Sequence, residues 1–363
     1  MNRFLCAIII VLLSIACRKN PGENQNEILK NKIETVAKTY RIPTLSVFIR
    51  NQHGEMAFRY MDNERTIAPV ETYGIANATN MLVALPLLKL VENHKINLDS
   101  PVVKYLRQTS LSKKIPWMSA IKIRHLLSHT SGIPDFTRHR SWMTLLLANR
   151  APRTYAEKIA LIETPDSTQK LDRYCYSASD YVILERVVEI VTSQKGPAYF
   201  KNFYADLGLP GITLDKPSTG TQTFYAQQVG AITNNTNYSE NYSYEGGAYA
   251  KAPDLALLLK KVFTDKSVLS QESLDEMLTW NDMQKYRISY SNVQIARYGG
   301  GLMQCEMRDQ QYIGHAGISL KYQSFIFVDP STGYTIIVLT NCSGKFFNNA
   351  FAVEIIDKLI AQQ

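Results

Sequence analysis

Strand-like segments gather at the two ends of this 363-residue chain, while its middle reads as helices. Residues 45–50 and 55–60 alternate as strands and are joined by Asn51-Gln52-His53-Gly54, a turn signal. Four more β-like runs lie near the other end, at 297–306, 311–315, 321–328 and 334–340. Asp329-Pro330-Ser331-Thr332-Gly333 turns the chain between the last two. Between the two groups, residues 81–90 form a strongly apolar helix that Asn77 is placed to cap and Pro86 is expected to kink. Further helical patterns fall at 122–128, 155–163, 180–191 and 253–264, and a last amphipathic helix at about 347–360. The arrangement implies an α/β (α+β) fold in which one antiparallel sheet is built from both chain ends. A mostly helical region, about 75–290, is inserted between the sheet segments, and residues 346–363 pack on the sheet as a helix. No repeat of solenoid period interrupts this plan.

Residues 1–17 read as an export signal. Arg3 precedes an apolar run over 4–16, too short for a bilayer span and suited to a secretory core. The ending Leu13-Ser14-Ile15-Ala16-Cys17 resembles a bacterial lipoprotein cleavage box, which implies a lipidated Cys17, an anchor in a membrane and a periplasmic, envelope-bound protein. An ordinary signal peptide is the alternative. Residues 18–34 read as a polar tether. The net charge of +8 is scattered, densest at Arg138, His139 and Arg140. It suits a solvated surface or attraction to anionic envelope polymers and lipids. No motif points to nucleic acid, a metal or a cofactor. Cys175, Cys305 and Cys342 fit no zinc spacing; the latter two lie on expected strands and could be neighbours. His125 and His129 stand four apart without the intervening Glu of a zinc protease, so both are read as structural. Residues 234–249, crowded with Asn, Tyr and Ser, suit either a contact surface or a solvated loop.

Several segments, in order, resemble the serine β-lactamase and penicillin-binding-protein family, class C β-lactamases in particular. They are 41–47 (RIPTLSV), 75–99 (IANATNMLVALPLLKLVENHKINLD), 123–135 (IRHLLSHTSGIPD), Tyr176-Ser177-Ala178 with its following helix, Gly246-Gly247 before Asp254-Leu255, and His315-Ala316-Gly317. The resemblance spans about residues 40–345 and implies a β-lactamase/transpeptidase-like fold with its domain at 35–345. It also implies a nucleophile tetrad Ser-x-x-Lys one helical turn long. Counting back from Leu90-Val91-Glu92 puts that tetrad at Asn77-Ala78-Thr79-Asn80. No serine occurs in 72–93, and Thr79 lacks a lysine three residues on. Ser110/Lys113, Ser119/Lys122 and Ser167/Lys170 match the spacing by chance in poor helix contexts.

By the same resemblance, Tyr176 stands at the tyrosine that shares proton transfer, Ala178 at a substrate-binding asparagine, and His315 with Gly317 on the strand lining the cleft. Tyr176 is equally a ligand contact or a packed aromatic. His315 is expected to line the cleft, because Gly314 and Gly317 permit close backbone approach. A carboxamide is neither a nucleophile nor a base near neutral pH, so the degenerate positions Asn77, Asn80 and Ala178 imply no catalytic residues. The expectation is a non-catalytic lipoprotein with a binding or regulatory role toward peptidoglycan-type peptides. The alternatives are a hydrolase using Tyr176 or Cys175 as nucleophile and a structural envelope protein with a closed cleft.

Overall fold

Alternation on both sides of the Asn51–Gly54 reversal produces the first hairpin. In the computed structural model, which describes residues 21–39, 42–52, 54–62, 72–106, 110–148, 150–214, 225–228, 231–234, 244–290, 293–307 and 309–344, β1 (Thr44–Asn51) pairs with β2 (Gly54–Met61) along its whole length. Short strands follow through the middle: β3 (Tyr73–Gly74), β4 (Tyr225–Gln228), β5 (Ala231–Asn234), β6 (Tyr249–Ala250), β7 (Asn281–Asp282) and β8 (Ile288–Tyr290). The long ones resume with β9 (Val293–Tyr298), β10 (Met303–Met307), β11 (Gln310–Ile318), β12 (Gln323–Val328), β13 (Thr335–Thr340) and finally β14 (Cys342–Gly344). The main sheet runs β2-β1-β13-β12-β11-β10-β9-β7, with β8 also paired to β9. The chain ends meet where β1 lies antiparallel to β13, Val47 opposite Val338. One expected strand divides: residues 297–306 span β9 and β10, because the chain reverses at Gly299-Gly300-Gly301, where Gly301 holds φ +77°.

Every residue of β12 and β13 is buried, since both sheet faces are covered. Ile326, Val328, Ile337 and Leu339 face the helical region, while Phe325, Phe327, Ile336 and Val338 face a second core. That second core corrects the expected tether. Helix α1 (Pro21–Thr39) places Leu29, Ile33, Val36 and Ala37 against the sheet, so the chain is helical from Pro21 and part of the core from Leu29. The signal segment with Cys17, the helix expected at 346–363 and most of the 234–249 stretch lie outside the described residues.

The helical region holds α2 (Thr79–Glu92), α3 (Ile123–Leu127), α4 (Trp142–Leu147), α5 (Tyr155–Ala160), α6 (Ala178–Thr192), α7 (Gly196–Asp206), α8 (Ala252–Leu259) and α9 (Gln271–Met277). Residues 79–88 of α2 are all buried, as befits a helix that is apolar all round. Pro86 sits inside α2, yet the helix continues through it. A proline removes the N–H that would reach the carbonyl four residues back. Here that carbonyl, of Leu82, accepts instead from the Tyr204 hydroxyl on α7 at 2.6 Å. The substitute donor ties α7 to α2 and leaves no orphan acceptor at the break.

Candidate active site

A tight turn sets the front of the site. Residues Ala76–Ala78 form one 3-10 turn ahead of α2, entered by Ala76 in the left-handed region at φ +50°. Two elements clamp it. Ser324 on β12 donates to the Ile75 carbonyl at 2.7 Å, and the Ile75 N–H reaches the Ala248 carbonyl at 2.9 Å. Gly317 on β11 packs so closely that a Cβ there would overlap the Ile75 carbonyl oxygen and lie 2.9 Å from the Ala78 nitrogen. Its lack of a side chain lets strand and turn touch.

Asn77 does not cap α2; the cap position is Ala78 and makes no side-chain bond. The Asn77 amide instead donates to the Tyr176 hydroxyl. The cap expectation fails because the 3-10 turn carries the side chain across to the segment before α6. Thr79, the one hydroxyl within a turn, is fully buried. It donates to the Ala76 carbonyl at 2.7 Å and accepts from the Ala248 N–H at 3.0 Å, so it is spent on holding the turn.

Behind the turn lies a fully buried polar floor. Asn80 Nδ2 stands 3.2 Å from His129 Nε2 and 3.3 Å from the Tyr298 hydroxyl. His129 Nδ1 and Asp180 Oδ2, 3.0 Å apart, share one proton, and Ser131 donates to the other Asp180 oxygen at 2.5 Å. Tyr298 Oη is 3.1 Å from His315 Nε2, and His315 Nδ1 is 2.7 Å from the Ala316 carbonyl. One proton assignment serves the run from His129 to Ala316, although the Ser177 N–H, 3.4 Å from His129 Nδ1, then faces a nitrogen that already carries a proton. His129 Nε2 accepts from Asn80, the second Asn80 N–H goes to Tyr298, Tyr298 donates to His315 Nε2, and His315 Nδ1–H reaches Ala316. Asn80 Oδ1 alone on this amide is buried without a partner.

Burial sets the charges on the floor. It lowers His129 well below the usual imidazole range, with His315 adding to the effect, and lowers His315 to about 4. It also raises the Asp180 carboxyl well above its usual range, against the opposing Ser131 bond. The Tyr176 and Tyr298 phenols are pushed up by the same desolvation. Neither supplies a phenolate near neutral pH.

The expected site residues are thus partly gathered. Tyr176 meets Asn77, Ala178 opens α6 as a buried methyl, and Gly317 backs the turn. His315 departs from its expected place: its ring is fully buried beneath Tyr298, so it belongs to the floor and does not line an open cleft. Strand alternation puts it on the correct face, but the Tyr298 ring, 5.6 Å away, covers it. Cys175 is buried and turned to the Tyr286 hydroxyl at 3.0 Å, away from Asn77. Cys305 and Cys342 lie in different sheets, and no disulfide joins the described cysteines. Ser110, Ser119 and Ser167 are exposed outside the site, and Lys122 pairs with Asp99. His125 packs at Asp172, 3.1 Å away. The sequence reading missed Asp180 and Tyr298, and took His129 for a structural residue without placing it against Asn80. The clue for Asp180 was its position in the first turn of α6, three residues after Ser177.

Comparison with known proteins agrees with this geometry. The model of the beta-lactamase family matches residues 29–357. The teichoic acid D-alanine hydrolase of Staphylococcus aureus (strain MRSA252) is 27% identical over 265 residues, covering 68% of this chain and 61% of that protein. The chain therefore spans about three fifths of the length of the curated relatives it matches. Two solved structures share the fold. A D-stereospecific amidohydrolase from Streptomyces sp. superposes with a TM-score of 0.74 at 19% identity, covering 92% of this chain and 99% of that one. An octameric penicillin-binding protein homologue from Pyrococcus abyssi gives 0.75 at 22%, covering 93% and 77%. The chain has the β-lactamase/transpeptidase-like fold and belongs to the beta-lactamase family.

Proposed function

We propose that this chain is a non-catalytic binding or regulatory protein of the cell envelope, holding a peptidoglycan-type peptide in the cleft of a hydrolase fold. The observation that carries this reading is the pair Asn77 and Asn80, both engaged through their amide N–H groups, beside a Thr79 hydroxyl already committed to the backbone. A hydrolase of this type needs a nucleophile and a base within hydrogen-bond reach. An amide nitrogen gives its lone pair to the carbonyl and serves as neither. Asn80 still supplies two N–H donors to His129 and Tyr298, so it supports the floor without a titrating group.

The ligand follows by analogy with relatives, whose names speak of D-alanine and of D-stereospecific amides. A peptide ending in a D-amino acid is the corresponding ligand here, contacting the half-buried Tyr176. Export by residues 1–17 and lipidation at Cys17 would place the protein in the periplasm on a membrane. The test is titration calorimetry of the full chain with a muramyl pentapeptide, followed by mass spectrometry of the peptide. Saturable binding with the peptide recovered whole, weakened about tenfold by Tyr176→Phe, is the expected result. Loss of the terminal residue, or absence of binding, would overturn the reading.

A further inference from the structure

Strand β2 forms a long exposed edge of the main sheet. Among the described residues its one strand neighbour is β1, with which all eight of its residues pair without a register shift. The opposite edge is divided between β7, with two residues, and β8, with three. Sheet edges are commonly blunted by bulges, prolines or a covering element, because outward-facing amides template further pairing. Residues 54–61 (GEMAFRYM) hold neither a proline nor a bulge.

Which amides face outward follows from the ladder. The Asp62 N–H reaches the Pro43 carbonyl at 2.9 Å, so the even-numbered residues of β2 bond to β1. The two-residue reversal that closes Asn51 on Gly54 agrees with this alternation. Glu55, Ala57, Arg59 and Met61 therefore turn their N–H and C=O groups away from β1. These four residues are exposed, whereas Phe58, on the other face, is buried against α1 and the second core.

A strand with this pattern is complementary to itself. Two copies related by a twofold axis at Ala57 run antiparallel and bring Ala57 opposite Ala57, and Glu55 of each copy opposite Arg59 of the other. All of these are outward-facing residues, so each pair exchanges two main-chain bonds, about six in total. The charges select this register. Centring the axis on Glu55 or on Arg59 sets like charges face to face, and centring it on Met56 or Phe58 gives neither charge an opposite one. Glu55 already accepts from Arg50 of its own chain at 2.7 Å, and a carboxylate has lone pairs for a second guanidinium.

We infer that β2 is a self-association surface: two copies of this chain join edge to edge, by antiparallel pairing centred on Ala57, into one continuous sheet. The edge stands four ladder spacings from β11, about 19 Å, so the pairing does not reach Gly317 or the turn it backs. It stands or falls independently of the cleft reading, and Tyr176→Phe leaves it unchanged.

The test is sedimentation velocity of the full chain over a range of concentrations, beside the variants Glu55→Arg and Arg59→Glu. The unaltered protein is expected to pass from monomer to dimer as concentration rises. Each variant alone sets like charges at both outer pairs and is expected to dimerise about tenfold or more weakly. An equimolar mixture of the two variants restores opposite charges at both pairs and is expected to recover the dimer, which a general loss of folding cannot imitate. Ala57→Pro removes an outward N–H without touching the β1 ladder, so it is expected to abolish the dimer with thermal melting little changed. An unaltered protein that stays monomeric, leaving the edge to a strand of another protein, would overturn the inference. So would a dimer that tolerates both charge reversals, or a mixture that associates no better than its components.

Discussion

The front and the floor of the site are built to different ends. On the floor, His129, Asp180, Ser131, Tyr298 and His315 are all at most 1% exposed; bonds of 2.5–3.1 Å link Ser131, Asp180 and His129 and link Tyr298 to His315, and Asn80 bridges the two groups at 3.2 and 3.3 Å. At the front, Asn77 is half-buried with one side-chain bond, and Ala178 contributes a methyl. Asn80 belongs to both, buried like the floor yet three residues after Asn77 at the start of α2. The contrast separates an enclosed polar network from the half-buried amide in front of it. A buried polar floor is costly to disturb because each unpaired group loses its partner away from water. Asn77, half-buried with a single side-chain bond, is cheaper to exchange. On the proposed reading, the exchange of Asn77 at the front leaves the geometry of the floor in place.

Substitutions test this contrast by how unequal their costs are. The largest loss is expected from Asp180→Ala, which strips partners from both His129 and Ser131: about 2–5 kcal/mol of stability by denaturant melting, from two buried groups left unpaired. A cost below 1 kcal/mol would break the comparison. Acid titration comes next. Burial lowers His315 to about 4 from an ordinary 6.5, so the folded state binds this proton more weakly than the unfolded chain. The stabilisation is complete above pH 6.5 and is lost as pH falls toward 4, by about 3 kcal/mol. His129 acts in the same direction, so His315→Gln removes only part of the slope of stability against pH. The raised Asp180 carboxyl acts in the opposite direction, so the readout is a difference: an unchanged slope between pH 6.5 and 4 in His315→Gln would contradict the enclosed floor.

Away from the site, Tyr204→Phe should cost about 1–3 kcal/mol by leaving the Leu82 carbonyl unpaired. Adding Pro86→Ala, which returns a backbone N–H to that carbonyl, should recover most of it. Additive losses in the double variant would show that the proline break is not what Tyr204 serves. The smallest effect is expected at the front: Asn77→Ala should cost about 1 kcal/mol, the worth of one partly exposed bond. A loss above 3 kcal/mol would place Asn77 with the floor and erase the distinction.

The sequence made the sheet legible because strand alternation and turn residues are local signals, and the 51–54 and 329–333 turns bracket them closely. It misread the tether because the polar residues at 20–26 drew attention from the helical spacing of Leu29, Ile33 and Val36. It ran β9 and β10 together because strand-like composition continues on both sides of Gly299–Gly301. At the site, counting back from Leu90-Val91-Glu92 picked out Asn77 and Asn80, which the structure sets against Tyr176, His129 and Tyr298. The floor was not. His129 meets Asp180 across 51 residues and Tyr298 meets Asn80 across 218, and no local pattern announces such pairings. The Asn77 cap failed for a related reason, since a distant hydroxyl on Tyr176 replaced the local backbone partner.

The most direct test of a cleft without chemistry is intact-mass spectrometry of the full chain after exposure to a fluorescent penicillin and a p-nitrophenyl ester, beside the Asn77→Ser/Asn80→Lys variant. The restored lysine would enter a buried site against His129 and Tyr298, where desolvation favours its neutral, basic form. The account predicts no added mass on the natural protein and a single acyl group on the variant. An acyl group on the natural protein, or ester turnover by it, would contradict the account.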